Sequence, residues 1–122
     1  MKRDVKISDA EWQVMEIIWQ NKKIRAYDVV KDLENISTWS SKTIRTLIKR
    51  LVDKGVVGVE KEKFNMYFPL KTKEQCVKEE TNRFLNKIYN GSLGLLVASF
   101  AKTNKLSDQD ISALKDLLEE QK

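Results

Sequence analysis

Positions 39–50, WSSKTIRTLIKR, crowd four cations and four hydroxyls into twelve residues. Lys42, Thr43, Arg45, Thr46, Lys49 and Arg50 supply N–H and O–H donors, with Ser41 just ahead of them. Lysine and arginine neutralise phosphates, and a guanidinium can take both O6 and N7 of guanine. Threonine can reach a base edge or lay its methyl against that of thymine. If a helix starts here, its first amides are unpaired and suit a phosphate. This is binding chemistry, not bond-breaking chemistry. The chain has no histidine, one isolated cysteine, no glycine-rich phosphate loop and no metal-ligand spacing. No enzyme activity, metal, cofactor or small-molecule ligand is therefore expected.

A helix must carry these residues. At about 100° per residue, Ile44, Leu47, Ile48, Leu51 and Val52 fall in one apolar sector. Lys42, Thr43, Thr46, Lys49, Arg50 and Asp53 lie opposite, with Arg45 at the border. Many charged helix faces are merely solvated. Three features favour nucleic-acid contact for this one: another helix precedes it after a short break, its first turns mix Lys, Thr and Arg, and a basic hairpin follows. Trp39 offers an indole N–H to a phosphate, or is a plain core tryptophan. Lys61, Lys63 and Asn65 on the hairpin are expected to touch the DNA backbone.

The rest of the chain supplies the frame. Ser8 and Glu11 have the spacing of a capping box, with Ile7 and Trp12 placed as a hydrophobic staple. A helix is predicted from Asp9 to Trp19, then a very short strand at Ile24-Arg25. A second helix from Ala26 to Glu34 has no good N-cap and buries Ala26, Val29, Val30 and Leu33. Ser40 or Ser41 caps the third, which runs to Lys54 and is stopped by Gly55. Val57–Lys61 and Phe64–Phe68 read as strands joined by a two-residue turn at Glu62-Lys63, with Pro69 ending the second strand or lying on an edge. Helices over 73–89, from Leu93 to about Phe100, and onward from Ser107 complete the pattern. The expected fold is mostly α with one small hairpin: a winged helix-turn-helix domain over 1–71, then a helical dimerisation domain over 72–122.

Charge and apolar patterning divide in the same way. Residues 1–71 hold 15 Lys+Arg against 10 Asp+Glu, a net of +5, whereas residues 72–122 hold 8 of each. An acidic partner therefore belongs to the first part. Three helices on so short a second segment have few internal partners. Phe84, Leu85, Ile88, Leu93, Leu96, Val97, Phe100, Ile111, Leu114, Leu117 and Leu118 are the expected dimer contacts, although they could instead complete a monomeric core. No apolar run is long enough to span a bilayer. The opening MKRDVKISDA lacks the apolar stretch of a signal peptide, and a cytoplasmic location is expected. Cys76 has no partner for a disulfide and reads as a small buried residue.

ISDAEWQVMEIIW, TWSSKTIRTLIKRLVDKG and FLNKIYNGSLGLLVASF resemble the first helix, the recognition helix and the dimerisation segment of the penicillinase repressor (BlaI/MecI-type) family. The resemblance covers nearly the whole chain. It implies a homodimeric repressor of β-lactam-resistance genes, palindromic operators with TACA/TGTA half-sites, and operator contacts at Lys42, Thr43, Arg45 and Thr46. It further implies relief of repression by a membrane sensor-protease. The family is typically cut at an Asn-Phe bond, and the matching pair here is Ser99-Phe100, whose bland reading is a small helix residue beside a core phenylalanine. Family members often have proline where this chain has Ser41; both suit a helix start. Copper-responsive relatives carry a C-terminal cysteine cluster, which this chain lacks. A reading from another class remains beside the repressor: a winged-helix interaction module whose basic face binds an acidic protein.

Overall fold

Among the described residues of the computed structural model, nine elements follow one another: α1 (Asp9–Trp19), β1 (Ile24–Arg25), α2 (Ala26–Glu34), α3 (Ser41–Asp53), β2 (Val57–Lys61), β3 (Asn65–Pro69), α4 (Lys73–Tyr89), α5 (Leu93–Thr103) and α6 (Asp108–Glu120). The structure describes the backbone of residues 5–120 and the side chains of residues 5–116. Two compact units result, Met1–Glu80 and Thr81–Lys122. The first unit extends past Leu70–Thr72 into α4, because Cys76 is buried in its core.

Each helix of the first unit starts as its sequence dictates. The Ser8 hydroxyl accepts from the Glu11 N–H at 3.1 Å, and the Glu11 carboxylate accepts from the Ser8 N–H at 2.8 Å. Ser40 does the same for α3, accepting from the Thr43 N–H. At α2 the capping position is Arg25, with no side-chain cap bond; burial of Val29, Val30 and Leu33 holds that helix instead. The core combines these three with Val14, Met15, Ile18, Ile44, Leu47, Ile48, Leu51, Val56 and Val57. Each large apolar side chain so buried contributes about 1.5–3 kcal/mol. Glu11 is the one charged group among them, 1 % exposed. It pairs with Lys54 at 2.6 Å, and Lys54 also donates to the Lys6 carbonyl at 2.9 Å. The start of α1 is thus tied to the end of α3. Gly55 then takes φ of 79°, the left-handed conformation in which a side chain is strained.

The sheet is antiparallel in the order β1-β3-β2. One hairpin expectation changes, and one alternative is decided. Lys61 pairs with Asn65, so the loop is Glu62–Phe64 rather than Glu62-Lys63, closed by the Glu62 N–H donating to the Phe64 carbonyl at 3.1 Å. Phe64 therefore lies in the loop, where the Arg25 guanidinium lies 5.1 Å from its ring centroid. Pro69 ends β3, which is the central strand and not an edge. Leu70 N–H donates to the Val56 carbonyl, so by alternation Pro69 nitrogen faces the other side, beyond the Met66 and Tyr67 positions that β1 pairs. Gly58 lies opposite Phe68; a Cβ there would meet the Phe68 ring at 2.5 Å.

Around the start of α4, the Trp19 indole N–H donates to the Lys71 carbonyl at 2.9 Å, Lys71 holds Glu79 at 2.7 Å, and Lys73 holds Glu16 at 3.1 Å. Burial, then the Glu79 charge, raises the Cys76 thiol above its ordinary pKa, so the thiol stays protonated at neutral pH.

In the second unit Ser92 caps α5 through the Leu95 N–H. Ser107 and Asp110 cap α6 reciprocally, at 3.3 and 3.0 Å. Leu85 is buried, and Leu96, Val97, Leu106 and Leu114 are half-buried. Leu96, Val97, Phe100, Leu106 and Leu114 line a groove of about 410 Å³ between α5 and α6. Phe84, Ile88, Leu93, Leu95, Phe100 and Ile111 are between 40 and 55 % exposed. The expected contacts Leu117 and Leu118 lie outside the residues whose side chains are described. Among the described residues no helix is long and apolar enough to cross a membrane.

Candidate nucleic-acid interface

The buried stripe of α3 orients everything opposite it. Ile44, Leu47, Ile48 and Leu51 are buried, while Ser41, Lys42, Thr43, Arg45, Thr46, Lys49 and Arg50 are all exposed. Their bonds are local. Thr46 donates to the Lys42 carbonyl at 2.9 Å, and Arg45 Nε to the Ser41 hydroxyl at 3.3 Å. Lys49 pairs with Asp53 at 3.2 Å, both well exposed. Such exposed pairs contribute little and are readily exchanged for a stronger anion. Lys42 and Arg50 have no carboxylate partner among the described residues.

Trp39 combines its two sequence readings. Its ring is half-buried and packs on the core, yet its indole N–H has no acceptor among the described residues. Trp12 and Trp19 differ, donating to Glu16 at 3.1 Å and to the Lys71 carbonyl at 2.9 Å.

The hairpin stands beside this face. Lys61, Lys63 and Asn65 are exposed, and Lys63 Nζ lies 5.9 Å from the Phe64 ring centroid. Asn65 and Arg45 line one cleft of about 460 Å³, together with Arg25, Ala26, Tyr27, Phe64 and Tyr67. The wing and the basic helix therefore share a concavity, and Lys61 and Lys63 lie outside its lining.

Sequence reasoning missed Arg25, Tyr27 and Phe64. The Arg25 guanidinium is held by Asp28 through two bonds, at 3.0 and 3.3 Å. It lies 5.5 Å from the Tyr27 ring and 5.1 Å from that of Phe64. The mutual bond raises the Arg25 pKa and lowers that of Asp28, so both stay charged at neutral pH. The Arg25/Asp28 spacing was visible along the chain. The approach of Phe64, far along the sequence, had no local signal.

Fold and face together define a winged helix-turn-helix protein with a solvent-facing basic recognition helix. Comparison with known proteins narrows the class. The penicillinase repressor family model matches residues 7–120, and the chain belongs to that family. It is 39% identical over 123 residues to the penicillinase repressor of Bacillus licheniformis, covering 100% of this chain and 96% of that one. It is 40% identical over 114 residues to the methicillin resistance regulatory protein MecI of Staphylococcus aureus strain N315, covering 92% of each. The solution structure of monomeric Bacillus licheniformis BlaI in complex with the blaP half-operator matches with a TM-score of 0.54 and 41% identity, over 61% of this chain and 92% of that one.

Proposed function

We propose that this protein is a homodimeric transcriptional repressor of β-lactam-resistance genes, binding pseudo-palindromic operator DNA and inactivated by a membrane sensor-protease. The observation that carries the DNA-binding reading is the α3 face, whose seven polar residues all stand in solvent opposite a fully packed stripe. Kinship with a protein solved on its half-operator supports it.

Lys42, Thr43, Arg45 and Thr46 read base edges in the major groove. Ser41, Lys49, Arg50 and the Trp39 indole N–H take phosphates around them. Lys61, Lys63 and Asn65 touch the backbone beside the groove. One such helix reads only a few base pairs, so two copies on an inverted repeat are needed for a unique address. The exposed apolar side chains from Phe84 to Ile111 support the second unit, Thr81–Lys122, as the region that pairs the copies. Ser99 and Phe100 are both exposed on α5. Cutting between them severs the segment that couples the two heads, and the high local concentration of the second head is lost.

The test is a titration of the protein against a duplex bearing inverted TACA/TGTA half-sites and against a scrambled duplex of equal length. The reading requires a preference of about 10³-fold or more. Equal, weak retention of both duplexes would refute it and fit an acidic protein partner instead.

A further inference from the structure

The wing is attached to the helix-turn-helix by side chains as well as by the sheet. Phe64 is at its tip, 52 % exposed, where an isolated phenylalanine ring is out of place. Its neighbour is the Arg25 guanidinium at 5.1 Å. Arg25 reaches Phe64 from the start of α2, and its plane is set by the two-bond grip of Asp28. Tyr27 approaches the same guanidinium at 5.5 Å. A cation held over aromatic faces is attracted by the ring quadrupoles, and a guanidinium is well suited to this. The cluster closes one side of the cleft that Arg45 and Asn65 share. On the wing's other attachment, Lys23 reaches Glu60 at 2.8 Å and Glu62 at 2.9 Å, but an ammonium is a point charge with no plane to fix a direction.

We propose that Arg25 is the positioning residue of the wing: gripped by Asp28, it anchors Phe64 and so sets Asn65 beside Arg45, and holds the hairpin that carries Lys61 and Lys63, before DNA arrives. The inference rests on the DNA-binding reading above for its functional consequence. Arg25 turns two of its N–H groups to Asp28 and its faces to rings, and we assign it no base contact. Its contribution is preorganisation, because a wing already in place loses less freedom on binding.

Two measurements test this on the full chain. In the free protein, backbone ¹⁵N relaxation reports the order of residues 62–65. Arg25→Met and Phe64→Leu should each lower that order, with the amides of α3 unchanged; Phe64→Tyr should retain it. Phe64 is exposed and Arg25 half-buried, and neither belongs to the packed core, so both permit substitution without opening it. In the second measurement, the salt dependence of duplex binding counts phosphate contacts, at about one unit of log–log slope each. Lys63→Ala should remove about one unit from the wild type and nothing further from Arg25→Met. Undiminished order in the wing of both variants overturns the proposal, and so does a full unit lost to Lys63→Ala in the Arg25→Met background. A wild type that fails to prefer the inverted repeat would sink the repressor reading alone, since the relaxation data still decide whether Arg25 holds the wing.

Discussion

At the scale of single residues, the proposed roles on the face of α3 divide into readers and holders. If Arg45 and Thr46 read bases as proposed, Arg45→Ala or Thr46→Ala should lower the preference for operator over random duplex by roughly 1–3 kcal/mol. A preference unchanged in competitive titration would exclude those residues as readers. Lys63→Ala should weaken every duplex alike and reduce the salt slope by about one unit. Glu11 acts on stability instead. Burial alone would raise its pKa, but the Lys54 ammonium and the amide and hydroxyl of Ser8 outweigh burial and hold the carboxyl below its ordinary range. A depressed folded pKa gives stability that is complete above the unfolded value, about 4.3, and is lost as pH falls through the folded value. Glu11→Gln should cost about 1–3 kcal/mol at neutral pH and flatten the decline of thermal stability below about pH 4.3. A variant that melts like the parent across that range would show that the Lys54 pair is dispensable. The Ser8–Glu11 cap was legible in the sequence. Its reach to Lys54 was not, because it depends on where α3 ends in space.

At the scale of elements, local chemistry was readable wherever the chain punctuates itself. Ser8, Ser40 and Ser107 begin helices, and Gly55 ends one. Gly55→Ala would meet no atom within 4 Å, so its cost is purely conformational, about 1–2 kcal/mol, seen as a lower melting temperature with intact DNA binding. An unchanged melting temperature would mean that the chain finds another path after α3. The hairpin was read less well, and Phe64 shows why. Its residue type favours a strand, yet the pairing of Lys61 with Asn65 leaves it in the loop, and propensity yields to context. Gly58 is similar: its closeness to the Phe68 ring exists only once the strands are in register.

At the scale of the whole molecule, the two units carry different parts of the account. Hydrophobic periodicity predicted six helices, but it does not say which stripes meet within one chain and which meet a second copy. Cys76 turned inward to the first unit's core, while Phe84 and Ile88, expected dimer contacts like buried Leu85, stand in solvent. If these exposed side chains pair two copies, Ile88→Asn and Ile111→Asn should sediment as monomers at concentrations where the parent is dimeric. Their operator affinity should drop by about 10²-fold or more as the second head ceases to be local. Variants that remain dimeric would place the interface elsewhere.

The most direct measurement of the central claim is hydroxyl-radical footprinting of the purified protein on a long duplex carrying one inverted TACA/TGTA repeat, at low and at moderate salt. Two protected tracts should appear, centred on half-sites about one or two helical turns apart, and Arg45→Ala should erase both. Uniform protection along the duplex, or none at low salt, would contradict the claim that α3 is a sequence reader used twice per assembly.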